Sequence, residues 1–188
     1  MSQILEPSRL LKLARGFHPK DDDSYIQSYS SLLTYFQSSD PIDWSRFVVG
    51  VHAIYGWMPR VLTIKSENKN HIVNLVNQVR FEKLDLERKE LLDLKLCINN
   101  SIVGTSKLLH FLNPKTYAIW DSKICYQIFD LKHHYQINNV DNFMTYLSQM
   151  RSISESEMAC EIKSIVSQRV GYDVTKLRAI ELVLFMKE

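Results

Sequence analysis

The sequence predicts an all-α protein, a single compact domain over residues 1–188 with a helix-hairpin-helix element and two helical lobes around a cleft. Two observations carry this prediction. Apolar residues recur at helical spacing along most of the chain. Only five glycines and five prolines occur, too few for the many turns of a β-sandwich or barrel. With 45% apolar and 23% charged residues, the composition is that of an ordinary globular core.

Capping residues and apolar spacing define the helices of the first half of the chain. The predicted helices are residues 9–16, 24–37, 44–58 and 68–81. Ser8 is expected to cap the first, Asp22 or Asp23 the second, and Asp43 the third. Pro59 ends the third helix because proline cannot continue the hydrogen-bond ladder.

The second half of the chain continues the same pattern. The predicted helices are residues 84–98, 105–112, 122–129, 140–150, 154–170 and 173–186. Thr105 or Ser106 is expected to cap the helix that follows Gly104, and Asp121 the next one. Gly171 is a natural helix terminator. Residues 130–140 are predicted to be a short polar connection.

The charge is nearly balanced but unevenly distributed. Lys and Arg total 23 against 21 for Asp and Glu, a net charge of +2, which excludes a highly basic nucleic-acid coat and an acidic tail. Residues 21–43 hold five aspartates and no lysine or arginine, whereas residues 60–115 hold ten cations against six anions. This middle segment is where a polyanion would dock. Solvated helix faces explain the same distribution.

The cysteines indicate the compartment. Cys97, Cys125 and Cys160 are odd in number, widely spaced and without zinc-site spacing, which favours free thiols in a reducing cytosol. No apolar run approaches the roughly 20 residues that span a bilayer. We therefore expect a cytoplasmic protein that needs no metal or organic cofactor and does not contact a membrane.

Residues 98–129 hold the pattern that indicates chemistry. One helix runs into a polar turn, a second follows Gly104, and an apolar approach leads to Asp121 at the start of a third. An exposed helix N-terminus of this kind binds anions through its amides, DNA phosphate included. A carboxylate at a helix N-terminus can stabilise positive charge on a sugar or orient a water molecule. A plain N-cap aspartate without chemistry fits the same pattern.

The segment IVGTSKLLHFLNPKTYAIWDSKI resembles the hairpin and following helix of the helix-hairpin-helix DNA glycosylase superfamily, in particular its 8-oxoguanine glycosylase-like branch. Val103-Gly104 matches the hairpin, Lys107 lies near the family's lysine, and Asp121 matches the catalytic aspartate. The resemblance implies hydrolysis of the N-glycosidic bond of a damaged or modified base in duplex DNA. Asp121 would be catalytic, and Lys107 would assist electrostatically or as a nucleophile.

The same resemblance suggests the surrounding roles. The amides of Gly104, Thr105 and Ser106 would bind the DNA backbone. Each position also has a structural interpretation, such as core packing or a solvated side chain. The hairpin has Ile102 where the family has its first glycine, which supports a first alternative, a non-catalytic nucleic-acid-binding module. A second alternative is a protein-interaction domain that does not bind nucleic acid.

Three aromatic or basic side chains are candidates for a base pocket. Tyr55 and Trp57 flank a glycine and could stack on an everted base, and His110 follows Lys107 by three residues. Arg178 and Glu181 are separated by three positions on an otherwise apolar helix, so we expect them to form a supporting ion pair.

Overall fold

The computed structural model describes residues 5–20, 22–56, 61–65, 67–82 and 85–187. This part of the chain forms eleven α-helices and no β-strand, which confirms the all-α prediction. The helices are α1 (Pro7–Arg15), α2 (Ser24–Gln37), α3 (Trp44–Tyr55), α4 (Lys69–Asn77), α5 (Arg88–Cys97), α6 (Ile102–Leu112), α7 (Ser122–Phe129), α8 (His134–Ile137), α9 (Val140–Ser154), α10 (Glu157–Val170) and α11 (Lys176–Phe185).

Helix α6 lies in the middle of the core. Ten of its eleven residues are buried, and it packs against α2, α3 and α5. A helix surrounded on all sides must be apolar nearly all round, and Leu108, Leu109 and Phe111 meet this requirement. The polar residues of α6 are consequently buried too, Lys107 and His110 among them.

Helix α11 is the second buried helix. Its residues from Leu177 to Leu184 are all buried, and it packs against α1, α7, α9 and α10. Arg178 and Glu181 lie within this stretch. The two most buried helices of the fold therefore carry charged side chains into its interior.

The turn before α6 differs from the prediction. The helix begins at Ile102 with Ser101 as its N-cap, whose Oγ accepts the Gly104 amide at 3.2 Å, so neither Thr105 nor Ser106 caps it. Asn99 and Asn100 precede it with φ of 55° and 50°. Asparagine tolerates this left-handed region, so two asparagines form the turn.

Other helix starts move for similar local reasons. Helix α1 begins at Pro7, because proline suits the first helical position, and not after Ser8. Helix α5 begins at Arg88, where Glu90 accepts the amide of Glu87 at 2.8 Å. Thr175 caps α11, since its hydroxyl accepts the Arg178 amide at 3.1 Å.

Three segments depart further from the prediction. Helix α3 ends at Tyr55 with Gly56 as its C-cap, and Trp57 to Pro59 lie outside the described residues. Helix α4 passes into a π-helical turn, Gln78–Glu82, where an α-helix was expected to continue. The connection at residues 130–140 contains the short helix α8.

Three features of the described ranges bear on the class of protein. None of the helices there is long and apolar enough to cross a membrane. The three cysteines are free thiols, with Cys97 and Cys125 buried and Cys160 exposed. No cluster of three or more His, Cys, Asp or Glu side chains in those ranges could hold a metal ion.

Candidate functional site

A cleft of about 630 Å³ opens where α6, α7 and α11 meet. Its walls come from several parts of the chain, represented by Tyr25 on α2, Tyr55 on α3, Ser101 in the hairpin turn, Asp121 before α7, Asn138 after α8 and Phe185 on α11. This volume is typical of small-molecule sites and is large enough for a nucleoside.

Lys107 lies in the cleft wall without a polar partner in the part of the chain that the structure describes. It is only 6% exposed and lines the cleft, yet it forms no hydrogen bond or ion pair with any residue in the described ranges. Burial lowers its pKa, and the negative charges of Asp121 and Glu181 oppose the shift. Its Nζ is not among the fully buried atoms without a partner, so the nitrogen is accessible from the cleft while its aliphatic stem is packed in the core. The cleft therefore supplies a place for a ligand that would complete its hydrogen bonding.

Asp121 lines the same cleft from the start of α7. Its Oδ1 accepts the Lys123 amide at 2.9 Å and caps the helix, as the sequence predicts. Its second oxygen, Oδ2, accepts no hydrogen bond from the described part of the chain. The half-buried carboxylate thus combines a fixed position with an unused acceptor beside the cleft.

The segment before Asp121 is tied to α6. The amide of Trp120 donates to Ser106 Oγ at 3.0 Å, and its indole Nε1 donates to the Ile137 carbonyl at 2.8 Å. Trp120 is fully buried. Ser106 therefore positions the approach to Asp121, a role that the sequence does not reveal.

The hairpin amides do not form the predicted phosphate site. Gly104, Thr105 and Ser106 are buried inside α6, where the Gly104 and Thr105 amides donate to Ser101. The predicted phosphate binding is wrong at these positions because the helix begins at Ile102, so their amides donate hydrogen bonds within its first turns.

The side chain of Asn138 forms hydrogen bonds with the backbone at the start of α6. Asn138 Oδ1 accepts the Ile102 amide at 2.8 Å, and its Nδ2 donates to the Asn100 carbonyl at 2.8 Å. Asn138 lines the cleft, and sequence reasoning missed it because it follows a helix of only four residues. Its side chain holds the hairpin turn and the rim at α8 together.

Of the residues assigned to a base pocket, Tyr55 lies at the cleft. It is 5% exposed and packs on Gly104, where an added Cβ would lie 2.6 Å from the phenol oxygen. Gly104 is therefore required for the close approach of α3 to α6. Trp57 lies outside the described residues.

His110 lies in the core and does not line the cleft, so its assignment to a base pocket is wrong. Its Nδ1 lies 2.7 Å from the Tyr117 carbonyl, which can only accept, so Nδ1 carries the proton. Nε2 then accepts the hydroxyl of Tyr29 at 2.9 Å. Burial lowers the His110 pKa to about 3, and the positive charge of Arg178 adds to this shift.

The predicted ion pair of Arg178 and Glu181 is confirmed. Arg178 Nη1 donates to Glu181 Oε2, both side chains are almost fully buried, and both line the cleft. The guanidinium lies 4.6 Å from the centroid of the Tyr29 ring. Its Nε has no hydrogen-bond partner among the described residues. The spacing on α11 predicted the pair, but nothing in the sequence shows that α11 faces α6.

Among the ionisable side chains that line the cleft, the buried or half-buried ones that come from α6, α7 and α11 are Lys107, Asp121, Arg178 and Glu181. Such a set can stabilise a developing positive charge through a carboxylate and a developing negative charge through an amine. No protein-family model, no curated protein and no solved structure gives a significant match to this chain.

Proposed function

We propose that this protein binds duplex DNA and hydrolyses the N-glycosidic bond of a damaged or modified base. One observation carries the proposal: Lys107, only 6% exposed and without a polar partner among the described residues, lines the same cleft as the Asp121 carboxylate, whose Oδ2 accepts no hydrogen bond from them. Perturbed ionisable groups in a concave site are the usual mark of catalysis. The resemblance of the hairpin segment to glycosylases is the reason for proposing an N-glycosidic bond as the bond that is hydrolysed.

Hydrolysis at this site would separate charge along the breaking bond. As the bond from C1′ to the base nitrogen breaks, its electron pair leaves with the base and positive charge develops on the sugar. Asp121 stabilises that charge and orients a water molecule, whose oxygen bonds to C1′. The proton released by the water neutralises the departing base, so the products are a free base and an abasic site.

Lys107 assists by stabilising the negative charge on the departing base. Because burial lowers its pKa, a larger fraction of the amine is neutral than for a solvated lysine. The neutral amine can also attack C1′ itself: its nitrogen bonds to C1′, and the base leaves with the electron pair of the broken bond and takes up the proton that the amine loses. Opening of the sugar ring then gives an imine, which borohydride reduces. Trapping with borohydride separates the two roles, since only the attacking amine gives a protein covalently joined to DNA.

The DNA backbone would lie across the cleft rim. The hairpin amides already donate hydrogen bonds within α6, whereas Lys132 and His134 are exposed at the rim of the cleft. The Lys132 ammonium lies 3.4 Å from Asp130 Oδ1 in an exposed ion pair, and it can exchange this carboxylate for a phosphate without reading sequence. An everted nucleotide would then enter past Tyr55.

The test compares two N-cap aspartates. Asp121→Asn keeps an acceptor for the helix cap but removes the charge, and we expect it to lower base release from a modified duplex by about 100-fold or more. Asp43→Asn is the matched control, since Asp43 caps α3 in the same way, with the Arg46 amide at 2.7 Å, and does not line the cleft. Equal release by both variants would overturn the proposal.

A further inference from the structure

We propose that the inner wall of the cleft, formed by Arg178 and Glu181, reads the base and accepts rings in which a carbonyl oxygen lies next to a ring N–H. Guanine, hypoxanthine, thymine and uracil present such an edge, whereas adenine and cytosine present an amino group next to an unprotonated ring nitrogen. This inference rests on the proposed function and names its substrate class.

The two side chains form a built site. Arg178 is 3% exposed and Glu181 is 2% exposed, and both line the cleft. They share one hydrogen bond, from Nη1 to Oε2. Arg178 Nε is itself fully buried, whereas Arg178 Nη2 and Glu181 Oε1 are not among the fully buried atoms and form no hydrogen bond with the described residues. The pair therefore keeps both donor and acceptor capacity that the protein does not use.

An aromatic wall fixes the orientation of this pair. The guanidinium lies over the ring of Tyr29, which stacks on Tyr172 with centroids 5.6 Å apart and 13° between the planes. The Tyr29 hydroxyl is held in turn by His110. A buried ion pair gains little stability over apolar residues of similar volume. A pair that is both rigid and incompletely hydrogen-bonded suits recognition better than it suits stability.

The chemistry of the two groups selects the ligand edge. A guanidinium only donates hydrogen bonds, and an ionised carboxylate only accepts them. A ligand that satisfies both must offer an acceptor and a donor side by side, as a carbonyl next to an N–H does. A phosphate would gain from Arg178 but would be repelled by Glu181. The pair therefore fits a neutral base better than an anion.

The test uses bases that differ only at this edge. Each duplex carries the test base on one 2′-fluoroarabino nucleotide, whose N-glycosidic bond resists cleavage, so binding is measured without reaction. The opposite strand has an abasic site at this position, so the test base has no pairing partner. We expect hypoxanthine to bind about tenfold or more tightly than adenine, and uracil likewise compared with cytosine, because the wrong edge leaves buried polar groups unpaired. Equal affinity within both pairs, or no measurable binding, would overturn the inference.

Two variants locate the preference. Glu181→Gln offers both a donor and an acceptor, so the ratio within each pair should fall towards one. Lys132→Ala at the rim should weaken binding of all four duplexes and leave the ratios unchanged. A preference that survives in Glu181→Gln would contradict the inference, and the wild-type ratios decide it even if that variant does not fold.

The two proposals fail separately. Base release without an edge preference would reject only the reading by Arg178 and Glu181. An edge preference in binding without release of any base would reject hydrolysis and leave the reading intact.

Discussion

Lys107 is the residue on which the account depends most. A lysine with 6% exposure normally has a carboxylate or carbonyl partner, and this one has none among the described residues. The protein therefore retains a group that weakens its own fold. Active sites are where such unfavourable groups are usually kept.

Replacing Lys107 with methionine should stabilise the protein and abolish the proposed release of a base. Methionine fills similar space without a charge, so we expect the free energy of unfolding at pH 7 to rise by about 1–2 kcal/mol. Chemical denaturation measures this change. Lys115→Met, at an exposed position, is the control and should alter stability by less than about 0.5 kcal/mol. A loss of stability in Lys107→Met would show that the lysine is structural.

The same comparison has a pH dependence. Because the Lys107 pKa is lower in the folded protein than its ordinary value of 10.5, the unfolded chain binds more protons between those two values. The penalty that Lys107 imposes is therefore largest at lower pH and is lost as pH rises towards 10.5. The stability difference between Lys107→Met and wild type should narrow accordingly.

The buried, neutral His110 should make the folded protein less stable as the pH falls. Its pKa is about 3 in the folded protein against an ordinary value of 6.5, so the unfolded chain takes up the proton first. Stability from this group is complete above pH 6.5 and is lost as pH falls towards 3, by on the order of 4 kcal/mol. His110→Gln, which keeps a donor and an acceptor, should show a shallower decline in unfolding free energy over this range. Parallel pH profiles would contradict the buried neutral imidazole.

At the scale of elements, the contact of α3 with α6 is set by Gly104. A Cβ there would lie 2.6 to 3.1 Å from atoms of the Tyr55 side chain, which is itself confined at 5% exposure. Gly104→Ala should therefore destabilise the protein by about 1–3 kcal/mol, although alanine favours a helix by about 1 kcal/mol. Urea denaturation measures the change.

The control for Gly104→Ala is a second substitution that removes the Tyr55 ring, which the added Cβ would contact. In a Tyr55→Leu background the clash disappears, so the alanine should become neutral or stabilising. A double-mutant cycle gives the coupling between the two positions. An additive cycle would mean that the ring of Tyr55 does not limit the approach of α3.

The elements show how far the sequence could predict the fold. Apolar spacing identified α2, α7 and α10 with bounds close to those observed, since each has a clear cap or end. It placed the start of α6 wrongly because Ser101, Thr105 and Ser106 are all able to cap a helix. Which one does so depends on Asn138, which bonds the Ile102 amide from a distant part of the chain.

At the scale of the whole molecule, two buried helices bring the site together. Lys107 on α6 and the ion pair on α11 are far apart in sequence, and only packing through the core places them on one cleft. The sequence predicted Asp121, Lys107 and the ion pair as separate features. It could not predict their convergence, because helical periodicity defines a buried face but not the helix that covers it.

The distribution of charge predicts the salt dependence of the proposed binding to DNA. The net charge is only +2, so we expect few phosphate contacts and a modest dependence of affinity on salt. Lys132→Ala should reduce the slope of log K against log salt by about one. Fluorescence anisotropy with a duplex at several salt concentrations measures it. An unchanged slope would place the backbone contact elsewhere.

The most direct test of the central claim is mass spectrometry of the bases released from a panel of duplexes, each with one damaged or modified base. If the protein hydrolyses the N-glycosidic bond, the wild type should release a free base from at least one duplex and leave an abasic site. We also expect Asp121→Asn and Lys107→Met to lose this activity while remaining folded. Release of no base from any duplex, or equal release by Asp121→Asn, would contradict the proposed hydrolysis.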